Sequence, residues 1–444
     1  MNAVAMPPSV NALPILQGQF ALLKLGGQIG LVERPAPGNG WSDSGDVVAY
    51  RKVDAVLLLQ RALQHIPSNQ NSKAVIKDFF ESTSTVVFDS IAYDPRPTGP
   101  NVINLWQGPT VKAIPGSFST IDDFLLDVVA DRDCAVHEYL LNFLAHMLQA
   151  PERKPGVMLV LLGGQGTGKG TFFRLLNAIW GKSAIMTNQI GQVTGTFNNL
   201  LERYYVVWLD EALFVGDRKA TDKLKNLITE PYIAVEAKYQ TARSVFSCHR
   251  FFASANAEHF AHIDADDRRM LYLPMPTRQM GNIAYWTAIS ATLTSPEVAA
   301  FVHHLMQRDI STFKPSTRPV SSALTRQKLL SLTGADAWWH SVLQVGTVEH
   351  FGGPGVPIEL SATTFISSAD LVSAYESHAR RTGDRLRSVS QQQLKHNLQR
   401  LCPSAQYRRA TASGTQVRGY DVPTLAQARS DFASVIGANL VWSL

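Results

Sequence analysis

Cysteine is scarce. Cys134, Cys248 and Cys402 are the three in a chain of 444 residues, and none stands in CxxC spacing. That excludes a disulfide framework and a cysteine zinc cluster as the frame of the fold. Long apolar runs are missing too, and the first residues lack the charged-then-apolar order of a signal peptide. Both absences predict a cytoplasmic protein without a membrane partner. Ahead of residue 150 no acidic pair stands on a strand-like run, so nothing there offers the metal site of a primase or polymerase. Charge is sparse, at 17% of residues, and the net value of +5 fits many proteins. Its distribution is more informative than its size. With 45% hydrophobic residues the chain can bury a sizeable core, and its length favours two or three domains.

What the chain does have is a glycine loop, Gly163-Gly164-Gln165-Gly166-Thr167-Gly168-Lys169-Gly170-Thr171. It follows the apolar run Val157–Leu162 and precedes Phe172–Trp180, whose apolar residues recur at helical spacing. Strand, glycine loop and helix is the setting of a phosphate-binding P-loop. Glycines let backbone N–H groups turn inward, and the helix N-terminus adds partial positive charge. Lys169 would reach the β- and γ-phosphates of a nucleoside triphosphate. Gly170 stands where a Ser or Thr usually ligates Mg²⁺, and the hydroxyl comes one place later, on Thr171. Nucleotide kinases of the adenylate kinase type share this GKGT order. The loop alone leaves a small-molecule kinase and a motor ATPase both open.

Some forty residues on, Tyr204-Tyr205-Val206-Val207-Trp208-Leu209-Asp210-Glu211 reads as a buried strand ending in two acids. Asp210 suits the Mg²⁺ hydration shell and Glu211 the attacking water. A phosphotransferase has no need of that second acid, so the pair favours hydrolysis. Phe251-Phe252-Ala253-Ser254-Ala255-Asn256 is a further strand whose final amide could contact the γ-phosphate or the water. Arg268 and Arg269 are candidates for an arginine finger acting on a neighbouring subunit's nucleotide. Residues 233–245 alternate, turn near Lys238–Thr241 and alternate again, as a hairpin would. Lys238, Tyr239, Gln240 and Arg243 at its tip could grip a phosphate backbone and stack on a base. A hairpin edge kept basic against aggregation would look the same.

Upstream, Phe20–Leu25 and Ile29–Val32 read as a β unit, 52–64 and 73–80 as helices, and 119–149 as a long helical block. Residues 324–345, with Trp338 and Trp339, read as helix, and the tryptophans as core. Beyond a Gly/Pro-rich loop, Leu371–Arg381 and Ser390–Cys402 read as helices, with Ser388 or Ser390 as a cap. Tyr407–Arg409 and Gln416–Tyr420 then bracket Ser413-Gly414 as a hairpin. Two helices and a basic hairpin resemble a winged helix. Its bases include Lys395, Arg408, Arg409 and Arg418, with Glu376 and Asp384 the acids against them over 371–420. Such a patch suits DNA phosphates or is a solvated basic face.

In this order, GGQGTGKGTF (163–172), VVWLDEA (206–212), LITEPYIAVEAK (227–238), FFASAN (251–256) and DDRR (266–269) resemble the superfamily 3 helicases of viruses and mobile elements. The likeness is strongest to the phage and plasmid group attached to primase-polymerases. NLWQG (104–108) and the helical block ending near Gln149-Ala150-Pro151 extend it upstream. The resemblance implies an α/β fold with an AAA+ P-loop ATPase core, using ATP and Mg²⁺ in a hexameric ring around single-stranded DNA. It implies Lys169 as the phosphate lysine, Asp210 and Glu211 as the Mg²⁺ and water acids, Asn256 as the sensor and Arg268 or Arg269 as the finger. Too little chain precedes this part for a primase-polymerase module, so the expectation is a stand-alone helicase, a fragment, or a partner of a separate primase or polymerase, in a bacterial host's cytoplasm. The expected layout is an α+β region over 1–118, a helical collar over 119–150 and the ATPase core over 151–315. A helical linker over 316–356 and a winged-helix-like DNA-binding domain over 357–444 complete it. A DNA-binding initiator or loader would carry almost the same sequence. A nucleotide kinase would leave Glu211 and the basic C-terminal part unexplained.

Overall fold

The computed structural model describes residues 10–25, 27–41, 47–211, 218–236, 242–256, 268–319, 329, 332–349, 357–382, 390–412, 415–436, 440 and 442. Its centre is a parallel sheet built from runs that are apolar almost without break. Such runs suit strands covered on both faces. The strands Met158–Leu162, Ala184–Thr187, Val206–Asp210, Arg250–Ala255 and Met270–Pro274 pair in parallel. Across the sheet the order is 270–274, 158–162, 250–255, 206–210, 184–187. Successive side chains alternate between two cores, as a pleated strand demands. Leu159, Leu161, Trp208 and Phe252 face one, with helices Cys134–Gln149 and Lys169–Trp180. Val160, Leu162, Val207 and Phe251 face the other, with Leu224 and Ile228 of helix Arg218–Thr229.

The helical block read over 119–149 divides. Ser119–Phe124 runs into a π-turn at Leu125–Val129, and a new helix starts at Cys134. Asp131 and Arg132 between them lie at φ 51° and 64°, which no helix accepts. The break holds because Asp133 caps the second helix, its carboxylate accepting from the N–H groups of Ala135 and Val136 at 3.0 and 3.2 Å. Helices Ile283–Thr292 and Glu297–Gln307, which the sequence reading left unassigned, supply Ile289, Phe301 and Leu305 to the same core.

Two further units flank this core. At the N-terminal side Phe20–Leu25 pairs antiparallel with Gln28–Glu33, and Val87–Phe88 joins in parallel. Helices Ala12–Gln19, Lys52–Gln64 and Ser72–Glu81 cover that sheet over a separate core around Leu16, Leu59 and Phe79. At the C-terminal side, Thr364–Ser367, Thr415–Val422 and Gln406–Ala412 form an antiparallel sheet in that order. Helices Ser368–Thr382, Gln391–Leu401 and Leu425–Ile436 pack with it. Ser390 caps the second of these in a reciprocal box with Gln393. One boundary moves: helix Gly334–Val345, expected in the linker, buries Trp338, Trp339 and Leu343 in the core of this last unit. Two indoles and a leucine are too much apolar surface for a linker to leave in water. Among the described residues no helix is long and apolar enough to cross a membrane.

Candidate functional site

The glycine loop leaves the strand Met158–Leu162 at the carboxyl edge of the sheet and enters helix Lys169–Trp180. Chain order and sheet order part company beside it, because the next strand in sequence lies at the far edge of the sheet. Parallel α/β sheets take their ligands at such a switch point. Gly168 ends the loop at φ 104°, where a side chain would meet Trp286 Cη2 at 2.7 Å and Val128 Cγ1 at 3.2 Å. Only glycine fits that turn. Thr167 Oγ1 donates to the Gly164 carbonyl at 2.9 Å. Lys169 Nζ is turned back onto the loop, donating to the carbonyls of Gly163 and, at 2.7 Å, Gly164. Partial burial holds its ammonium below the ordinary lysine range, against the pull of Glu211 and Asp210. A bound phosphate would give that ammonium a stronger partner than two carbonyl oxygens.

The strand Arg250–Ala255 lies between the loop strand and the acidic strand Val206–Asp210. It brings Asn256 beside Glu211, with Nδ2 donating to Oε1 at 3.5 Å. Glu211 sits at φ 51° and its N–H donates to the Ser254 carbonyl at 2.9 Å, the last rung before the chain turns away. A non-glycine residue held there costs on the order of 1–3 kcal/mol. Ser254, a residue the sequence reading passed over, ties the acids to the core. Its hydroxyl donates to Asp210 Oδ1 and accepts from Trp208 Nε1 at 2.9 Å. The signal was a lone hydroxyl within the otherwise apolar run Phe251–Ala255. Lys169, Asp210, Glu211 and Asn256 therefore share one edge of the sheet, and their donor and acceptor types fit a triphosphate with a hard divalent ion.

Thr171 fits the metal less well. It is buried, and its Oγ1 accepts from the Arg174 guanidinium at 3.0 Å. A cationic donor on that oxygen opposes a cation beside it. At exposed Gly170 an added Cβ would meet nothing within 4 Å, so the place where a hydroxyl would ligate is open space.

Arg268 and Arg269 are at the other edge. They precede Met270–Pro274, and the Arg269 carbonyl accepts from the N–H of Met158 at the start of the loop strand. A five-residue strand, about 15 Å long, separates them from the glycine loop. The fold does not bring them to their own chain's loop.

Tyr232–Val235 and Arg243–Phe246 pair antiparallel. Lys238, Tyr239 and Gln240 lie outside the described residues. Arg243 pairs with Glu202, Nε to Oε1 at 2.8 Å, so its charge is already matched within the chain. In the C-terminal sheet the expected bases separate by face. Arg408 pairs with Asp421 and lies over the Phe365 ring, 4.7 Å from its centroid. On the opposite face Arg409 stands directly across from Arg418, both exposed, and Lys395 Nζ lies 4.6 Å from the centroid of Tyr407. Like charges directly opposite on a sheet repel. An anion between them would relieve that repulsion.

A family of unknown function (DUF5906) has a model that matches residues 161–269, the span from the loop strand to Arg269. No curated protein matches the chain. Among solved structures it is similar to the A-form apo structure of the NrS-1 C-terminal region. Identity is 16% and the TM-score 0.64, covering 92% of this chain and 98% of that one. A second apo structure of the NrS-1 C-terminal region gives 18% identity and a TM-score of 0.59, covering 92% and 97%. The chain shares that fold along almost its whole length.

Proposed function

We propose that this chain is an ATP-dependent DNA helicase or translocase of the superfamily 3 type, working in replication of a phage or related mobile element. In this reading the central sheet is an AAA+ core, the helices over 119–149 its collar, and the C-terminal unit a winged-helix-like DNA-binding domain. The observation that carries the proposal is the strand order. With Asn256's strand inserted between the loop strand and the acidic strand, a gap opens between Lys169 and Glu211, and the amide lies at its Glu211 side. A γ-phosphate and an attacking water would occupy that gap.

Each residue then has a task. Lys169 exchanges the loop carbonyls for the β- and γ-phosphates. Glu211, steadied by Asn256, orients the water and takes up its proton. Asp210, anchored by Ser254, is the acid for the Mg²⁺ water shell; bound with ATP, Mg²⁺ would supply charge neutralisation at the phosphates. Arg268 and Arg269, too far from their own loop, would serve the nucleotide of the next subunit in a ring, by preference a hexamer. The hairpin between 232 and 246 would face the strand in the ring, and the Arg409–Arg418 face would hold DNA phosphates. A separate primase or polymerase would be the working partner.

The test is ATP hydrolysis with and without single-stranded DNA, comparing the intact protein with Glu211→Gln. Stimulation by DNA that the substitution abolishes is the expected result. Hydrolysis indifferent to DNA would overturn the motor reading.

A further inference from the structure

The N-terminal unit carries a surface that neither the ATPase core nor the basic C-terminal face uses. Helix Lys52–Gln64 is apolar at Val53, Ala55, Val56, Leu57, Leu58 and Leu59, yet within that run only Ala55 and Leu59 are buried. Val53 is 83% exposed and Leu57 49% exposed. With Val56 and Gln60 they form an i, i+3, i+4, i+7 stripe, one face of the helix. Beside this stripe lies an open cavity of about 460 Å³, within the size range of ligand sites. Leu22, Ile29 and Leu31 of the sheet line it, Val56 borders it on one helix, and Ile76 and Phe80 border it on helix Ser72–Glu81. Ile29 is itself 57% exposed.

The lining is also charged, and mostly of one sign. Lys52, Lys73 and Lys77 contribute to it, with Glu81 the acid among them. Glu81 reaches Lys77 at 3.9 Å. Lys52 and Lys73 have no carboxylate at ion-pair distance among the described residues. An apolar groove bordered by uncompensated ammonium groups is complementary to a segment with a bulky apolar side chain between carboxylates. It is a poorer match to a single-stranded nucleic acid, whose bases stack on aromatic faces, because the apolar lining is mostly aliphatic: Leu22, Ile29, Leu31, Val56 and Ile76.

We infer that this groove docks an acidic linear peptide segment of a partner protein, which inserts an apolar side chain between the two helices and sets its carboxylates against Lys52, Lys73 and Lys77. The segments that adjoin this unit's described residues in sequence lack that chemistry. Residues 1–9 contain no acid, and Ser42-Asp43-Ser44-Gly45-Asp46 has no bulky apolar residue.

The test is selection of a random-dodecamer display library on the full-length protein, followed by fluorescence polarisation of the enriched peptide. Enriched peptides should carry Asp or Glu around Leu, Ile, Phe or Trp. Affinity should fall at least about tenfold in a Lys52→Glu/Lys73→Glu variant and in the groove-filling Val56→Trp, and should weaken with salt. Circular dichroism and thermal unfolding check that both variants keep the fold. Failure to enrich any peptide would overturn the inference, as would enrichment of peptides without acids or binding indifferent to both variants. Uptake of oleate with no peptide bound would mean a lipid site, and the inference would likewise fall.

Discussion

Gly170 and Thr171 show how much turns on one position. A serine at 170 would find open space and could add a hydroxyl where Mg²⁺ bound with nucleotide would need one. We expect Gly170→Ser to lower the Mg²⁺ concentration for half-maximal binding of a fluorescent ATP analogue, because a further oxygen ligand suits a hard cation. Thr171→Val should leave that concentration unchanged, because the Thr171 hydroxyl is already held by Arg174. A shift in the valine variant would restore Thr171 as a ligand. Two buried histidines set a pH limit. His249 accepts from Ser247 Oγ at Nδ1 (2.8 Å) and donates to the Leu201 carbonyl from Nε2 (2.5 Å). Burial, with Lys154 and Arg250 adding to it, pushes His249 down to about 3. Burial and then Arg250 and Arg153 push His146 down to about 4. Both folded values lie below the unfolded one, so below about pH 6.5 the unfolded chain binds more protons and stability falls. Each histidine removes up to about 1.4 kcal/mol per pH unit in that window. The melting temperature should be flat above pH 6.5 with respect to these groups and drop towards pH 4.5. His249→Asn should flatten the drop; an unchanged slope would assign the acid sensitivity elsewhere.

At the scale of elements, close approaches between neighbours matter more than propensity. Gly419 in strand Thr415–Val422 lies under Phe365, and a Cβ there would stand 2.3 Å from the Ile366 carbonyl oxygen and 2.7 Å from the ring. Backbone cannot yield as a flexible side chain does, so Gly419→Ala should cost about 1–3 kcal/mol in urea unfolding. Gly18 is the contrast. It lies within helix Ala12–Gln19 with nothing within 4 Å, and Gly18→Ala should stabilise by about 0.5–1 kcal/mol. Equal effects from the two substitutions would remove the argument. Three of the central strands, Met158–Leu162, Val206–Asp210 and Arg250–Ala255, were legible because such runs are short, apolar and bounded by glycine, acid or amide; Ala184–Thr187 and Met270–Pro274 were not read as strands. Helices Ile283–Thr292 and Glu297–Gln307 were not legible either, although Trp286 of the first closes on Gly168. The first has apolar residues all round, and its partner surfaces come from distant segments.

At the scale of the whole molecule, charge and distance decide who acts on whom. Arg409→Glu with Arg418→Glu should weaken single-stranded DNA binding and reduce the salt slope of log K by about 0.7 per lost phosphate contact. DNA-free ATP hydrolysis should be unaffected. Arg408→Ala should change binding less, since Asp421 already neutralises that residue. Arg268 and Arg269 lie a strand's length from their own loop, so inactive Lys169→Ala and Arg268→Ala/Arg269→Ala proteins should regain part of the hydrolysis when mixed. Mixtures that remain dead would place the finger elsewhere.

The sequence alone determined the loop, its lysine, the paired acids and the amide strand, because each is a local pattern of residue types at set spacing. It also determined the two C-terminal helices and their hairpin. Tertiary structure decided which of these meet. The interleaved strand order joins Asn256 to Glu211, Ser254 holds Asp210, and the edge of the sheet parts Arg268 and Arg269 from Lys169. Sheet pleat sends Arg408 to one face and Arg409 to the other, and helix Gly334–Val345 joins the C-terminal core instead of a linker. These are contacts between residues far apart in the chain, and no local spacing encodes which strand lies beside which.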